Sequence, residues 1–205
     1  MRVGLGELEE RSGDSASASA FYQQAAQVSP ADPGGYAAYG RYLLEQGDIS
    51  GALAQFQAAA FADPRSQEAY TGLGDVYRHL GRFSEAIGAY RSAILLNPDA
   101  SPDPYVGLGE VYKLTSGSIE PALGVYQGAA GVAPGSSLPR WAIGNVYRAR
   151  GDLKTAAFYY QAGADVEPTA ALVRTELAWM KVLLGDWPGA KAEYETAIAL
   201  QAGNP

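Results

Sequence analysis

The sequence predicts an all-α fold, a solenoid of six helix-turn-helix hairpins, and three registered series of residues carry that prediction. Gly6, Gly40, Gly74, Gly109 and Gly144, with Ala178 as the sixth member, are separated by 34, 34, 35, 35 and 34 positions. Ala18, Ala52, Ala86, Ala122, Ala156 and Ala190 keep the same period. An aromatic residue stands four positions after each (Tyr22, Phe56, Tyr90, Tyr126, Tyr160, Tyr194), and a small one three further on (Ala25, Ala59, Ala93, Ala129, Gly163, Ala197). Pro30, Pro64, Pro98, Pro134 and Pro168 close successive units. A fixed period of this length marks stacked units, each too small to bury its apolar face alone.

The units span 1–32, 33–66, 67–100, 102–136, 137–170 and 171–204, a single array over 1–205. In the first, second, fifth and sixth, Gly13-Asp14, Gly47-Asp48, Gly151-Asp152 and Gly185-Asp186 divide two helices. The glycine can end the first helix in the left-handed region, and the aspartate can cap the second. The third unit is the clearest copy: Tyr70-Thr71-Gly72-Leu73-Gly74-Asp75-Val76-Tyr77 opens its first helix and Ser84-Glu85-Ala86-Ile87-Gly88-Ala89-Tyr90 its second. The fourth carries an extra residue within Leu114-Thr115-Ser116-Gly117-Ser118-Ile119, and Ser101 is an extra residue before it. The terminal units depart most: Glu9 and Lys181 stand where other units have Tyr77, Tyr112 and Tyr147, and Ala202 stands where proline is expected.

Small residues of the Gly74 and Ala86 type let the two helices of a hairpin approach closely, since a larger side chain there overpacks the contact by about 1–3 kcal/mol. Aromatics of the Tyr77 and Tyr90 type fill the wedge, and small residues of the Ala93 type face the next unit. Eleven of the 14 tyrosines fall at repeat positions, leaving Tyr39, Tyr42 and Tyr159, so the tyrosine count implies packing before it implies a binding surface.

These marks resemble the tetratricopeptide repeat (TPR) family over essentially the whole chain. The resemblance implies a right-handed α-solenoid whose inner groove is lined by the first helix of each unit. Carried over unit by unit, it points to Arg41, Asp75, Arg78, Glu110, Lys113, Trp141, Asn145, Arg148 and Trp179 as the candidate partner groove. Arg78, Lys113 and Arg148 form a basic line with a period of 35 residues. Asp75 and Glu110 precede two of these cations by three positions, the spacing of pairs on one helix face, so a solvated, charge-paired stripe is as open as a groove for an acidic or polar segment. The family's carboxylate clamp, with its lysines and two asparagines in successive units, is not matched; only Asn145 falls at a suitable place. Trp141 and Trp179 stand outside the family's usual aromatic positions, open to a binding role or to packing between units. His79 reads as a helix-end residue.

Composition narrows the chemistry. No cysteine and a single histidine exclude thiolate or His-rich metal sites, and a net charge of -7 argues against nucleic-acid partners. No nucleophile has a base beside it. The expectation is a non-catalytic chain without cofactor that binds a protein or peptide partner, soluble, with no membrane insertion or targeting segment and with its compartment open. Serines 12, 15, 17, 19, 136 and 137 read as caps and loop residues before they read as acceptors of O-linked sugars. An alternative comes from the ends: Met1 falls near the start of a repeat and Pro205 where a seventh would begin. Uncapped flanks at Val3, Leu5, Tyr194, Ala197 and Ile198 could join copies head to tail into a filament, extracellular or on the cell surface.

Overall fold

The computed structural model describes residues 2–29, 31–98, 101–116 and 118–202. Pro30, Ala100, Gly117 and the terminal Met1, Asn204 and Pro205, all invoked above, lie outside them. Twelve helices and no strand occur among the described residues. In chain order they are α1 (Arg2–Ser12), α2 (Ser15–Val28), α3 (Pro33–Glu45), α4 (Ile49–Ala62), α5 (Gln67–His79), α6 (Phe83–Leu96), α7 (Asp103–Thr115), α8 (Glu120–Val132), α9 (Leu138–Ala149), α10 (Leu153–Val166), α11 (Ala171–Leu183) and α12 (Trp187–Ala202). Consecutive helices pair into hairpins, and each of two compact units, Met1–Pro98 and Asp99–Pro205, holds three.

The punctuation acts as its chemistry requires. Gly13, Gly47, Gly151 and Gly185 adopt φ between 78° and 84°, where a side chain is strained. Asp14, Asp48, Asp152 and Asp186 then accept from Ser17 N (3.0 Å), Gly51 N (2.9 Å), Thr155 N (3.1 Å) and Gly189 N (3.0 Å). The third hairpin turns at Gly81 (φ 69°) without a capping aspartate. Arg82 stands there instead, bridging to Glu85 at 2.7 Å and lying 4.7 Å above the Tyr77 ring.

Inside a hairpin the second-helix aromatic lies flat on the first-helix glycine. A Cβ built on Gly6, Gly40, Gly74 or Gly144 would stand 2.6–3.1 Å from the nearest ring atom of Tyr22, Phe56, Tyr90 or Tyr160, and Gly109 is as tightly covered by Tyr126. These rings are buried, Tyr90, Tyr126 and Tyr160 completely. Two hairpins are also clasped end to start: Gln67 Nε2 donates to Asn97 O (2.7 Å), and Ser137 N and Oγ donate to Glu167 Oε2 (2.9 and 2.6 Å).

Candidate functional site

A buried tyrosine must still satisfy its hydroxyl, and the fold does this on the first helix. Tyr90 donates to Asp75 (2.7 Å), Tyr126 to Glu110 (2.6 Å) and Tyr160 to Asn145 (2.7 Å). Each acceptor follows the repeat glycine directly. Tyr22 instead reaches Glu10 at 2.8 Å. Burial, with the facing carboxylate behind it, lifts the Tyr90 and Tyr126 hydroxyls above the ordinary phenol range, and burial pushes Tyr160 up to about 12. All three therefore remain protonated donors.

One turn further along the same helices stand the cations. Arg78 lies 3.6 Å from Asp75 and donates to the Tyr90 oxygen at 3.4 Å. Lys113 holds Glu110 at 2.9 Å. Burial raises the Asp75 carboxyl above its ordinary value, against the opposing pull of Tyr90 and Arg78. Asp75 and Glu110 are thus engaged from two sides, as structural acceptors. Arg148 faces a neutral Asn145 at 3.4 Å and pairs with Glu176 of the next hairpin only at 3.7 Å, so it is the least neutralised of the three. Arg41 pairs with Glu68 of the next hairpin at 3.5 Å, both side chains about half exposed.

The two tryptophans part company. Trp141 packs against both apolar clusters of the second unit, with Nε1 buried and lacking a hydrogen-bond partner among the described residues. Trp179 takes the place where Asp75, Glu110 and Asn145 accept a tyrosine hydroxyl, and it is 45% exposed. Its hairpin departs elsewhere too. Where Tyr147 stacks on Tyr159 (5.6 Å, 4° between planes) in the fifth, the sixth has Lys181 bonded to Glu193 at 3.0 Å, with Arg174 on the other carboxylate oxygen at 2.8 Å.

The nine groove residues therefore fall into two sets: Arg41, Asp75 and Arg78 in the first unit, and Glu110, Lys113, Trp141, Asn145, Arg148 and Trp179 in the second. Of the five expected end contacts, two are largely covered within the chain. Ala197 is only 3% exposed; at the equivalent Gly163 the nearest neighbour of an added Cβ is Val173 of the next first helix (3.0 Å), with Ser137 O and Arg140 Cβ further off. Val3 packs against the first apolar cluster. Leu5 and Ile198 are exposed, and Tyr194 is half-buried. The tyrosine ties escaped sequence reasoning, although the column Asp75, Glu110, Asn145 of acceptors was visible.

Rings on glycines, glycine-ended first helices and hairpins repeated through the chain define a helical-repeat protein. The family model described as tetratricopeptide repeat matches residues 38–104. Solved structures share the fold: a thermophilic TPR protein of Thermus thermophilus (21% identity, 88% of this chain and 97% of that one, TM-score 0.76), MamA (20%, 80% and 94%, 0.57) and YrrB, a TPR protein with an unusual peptide-binding site (22%, 89% and 93%, 0.52). No curated protein matches the sequence. Residues 38–104 thus match the tetratricopeptide-repeat family, the chain shares the α-solenoid fold of these repeat proteins, and among its described residues no helix is long and apolar enough to cross a membrane.

Proposed function

We propose that the protein is a non-catalytic scaffold that holds a segment of a protein partner along its first helices, with the second compact unit making the principal contact. The observation that supports this is Trp179. It replaces a structural acceptor with a large aromatic that is half in solvent, one turn beyond the Glu176 that Arg148 approaches. Tryptophan and arginine dominate the binding energy of protein interfaces, and an under-neutralised arginine on the hairpin before an exposed aromatic suits an acidic or polar segment. The family's usual role as a partner scaffold, and the peptide-binding site named for YrrB, point the same way. Head-to-tail self-assembly is less well supported, because Ala197 and Val3 are already used within the fold.

Affinity capture from the host lysate with wild type, Trp179→Ala and Arg148→Glu tests the reading. Loss of Trp179 should weaken a captured partner by about 30-fold or more, equivalent to about 2 kcal/mol, with circular dichroism unchanged. A partner retained equally by both variants would overturn it.

A further inference from the structure

Between the first and second hairpins lies a cleft of about 520 Å³, lined among others by Arg2, Val3, Ala25, Val28, Gly35 and Arg41. The repeat itself explains why it is there. Four positions before the repeat glycine or its alanine counterpart, the hairpins carry Arg2, Tyr36, Tyr70, Tyr105, Arg140 and Arg174 in turn. Tyr36 packs against the cluster that includes Ala59 of its own second helix and Ala69 of the following first helix. Tyr105 lies over α8, 3.6 Å from where a Cβ on Gly128 would stand. In the fifth hairpin, where this residue is Arg140, Val173 of the next first helix joins the Arg140 stem, 3.0 Å and 3.7 Å from where a Cβ on Gly163 would stand. The space beside the second helix is thus filled by the hairpin's own ring or by its neighbour's side chain.

The first hairpin has neither. Arg2 has no ring and its guanidinium is held at the cleft's border by Gln24, and the position that is Ala69 or Val173 elsewhere is Gly35. Gly35 cannot be enlarged to fill the gap, since a Cβ there would stand 2.9 Å from the Ala25 carbonyl. Ala25 registers the omission: Ala59, Ala93 and Ala129 are fully buried, whereas Ala25 is only half-buried. Two guanidinium groups border the cleft. Of the carboxylates beside them, Asp32 is taken up by Gly34 N at 3.0 Å, and Glu68 stands 3.5 Å from Arg41, too far for a good hydrogen bond.

The geometry points to a second partner site in the first unit: this cleft receives an aromatic side chain of a partner segment, filling the place that Tyr36 fills one hairpin later, with an acidic neighbour of that residue on Arg41. Ring burial against Val3, Ala25 and Val28 supplies contact, and the guanidinium groups supply cation-π and charge-assisted bonds. The inference rests on the scaffold reading only in assigning the ring to a partner segment; its site and its test are separate from Trp179.

The test is an NMR titration of the whole ¹⁵N-labelled chain with blocked dipeptides. N-acetyl-glutamyl-tyrosinamide should shift the amides of Ala25, Gly35 and Arg41 saturably. N-acetyl-glutamyl-alaninamide, which lacks the ring, and N-acetyl-glutaminyl-tyrosinamide, which lacks the charge, should each bind about tenfold more weakly or worse. Arg2→Tyr places the repeat's own ring in the cleft and should abolish the shifts while the rest of the spectrum stays in place. Absence of saturable shifts in the wild type, equal binding of either control peptide, or undiminished binding by Arg2→Tyr would each overturn the proposal. Failure here would leave the Trp179 capture result standing, and failure of that capture would not alter these shifts.

Discussion

Gly74→Ala and Gly88→Ala make the same chemical change in one hairpin, and the structure gives them opposite signs. At Gly74 a Cβ would stand 2.6 Å from both Cδ1 and Cε1 of Tyr90, so the ring must retreat by about 1 Å to reach ordinary contact. It has nowhere to go: Tyr90 is fully buried, and its hydroxyl is bonded to Asp75 at 2.7 Å. Overpacking against a ring that cannot move falls in the upper part of the usual range, about 2–3 kcal/mol, against a gain of about 1 kcal/mol in helix propensity, leaving about 1–2 kcal/mol of destabilisation. At Gly88, exposed in the interior of α6, nothing lies within 4 Å of the added methyl. Only the propensity gain remains there, about 0.5–1 kcal/mol of stabilisation. Because repeat arrays open locally, amide exchange is the appropriate assay. Amides of α5 and α6 should exchange about tenfold faster in Gly74→Ala and about two- to fivefold slower in Gly88→Ala. Shifts of the same sign, or a neutral Gly74→Ala, would refute the ring-on-glycine account. The natural Ala178 agrees with it, since Tyr194, its partner, is only half-buried.

The tyrosine ties should differ in strength with their acceptors: Tyr126→Phe, which removes a bond to a carboxylate, should cost about 1.5–3 kcal/mol, and Tyr160→Phe, which removes one to an amide, about 0.5–1.5 kcal/mol, compared by urea unfolding. Glu167 provides a pH test. The hydrogen bonds from Ser137 hold its carboxyl below the ordinary range, so its contribution is present above the usual glutamate pKa and is lost as pH falls through the lower folded value. Between about pH 6 and about pH 3 the urea midpoint of the wild type should therefore fall more than that of Glu167→Gln; equal falls would remove Glu167 from the clasp.

How far the chain could be read from its letters depended on the range of the interaction. Helix ends were legible because their signals are local: Gly47 and Asp48 are neighbours, and the cap bond reaches only to Gly51. Gly81 went unread because Arg82 replaces the aspartate beside it. The column of glycines forecast close approach, and the rings confirmed it. What the letters could not show was pairing across the hairpin. Lys181 looked like a lost tyrosine until Glu193, twelve residues on, proved to face it. Asp75 and Glu110 looked like ligand-facing charges because each was weighed only with the cation three residues on, whereas the hydroxyl that claims each lies fifteen or sixteen residues away. Of the two tryptophans, nothing local separates Trp141 from Trp179; burial by the neighbouring hairpin does.

The residues on either side of the inter-hairpin space also bear on how such a chain can change. The ring-on-glycine contact is internal to a hairpin, so a hairpin could be duplicated or moved with that contact intact. The packing of Tyr36 on the cluster that holds Ala59 and Ala69, or of Arg140 and Val173 beside Gly163, is divided between neighbours. Exchange of hairpins within a unit would set a ring against a valine or leave an arginine beside an alanine. The order of the repeats is thus written in the sizes of facing side chains, and a shuffled chain would keep every hairpin yet lose the match between them.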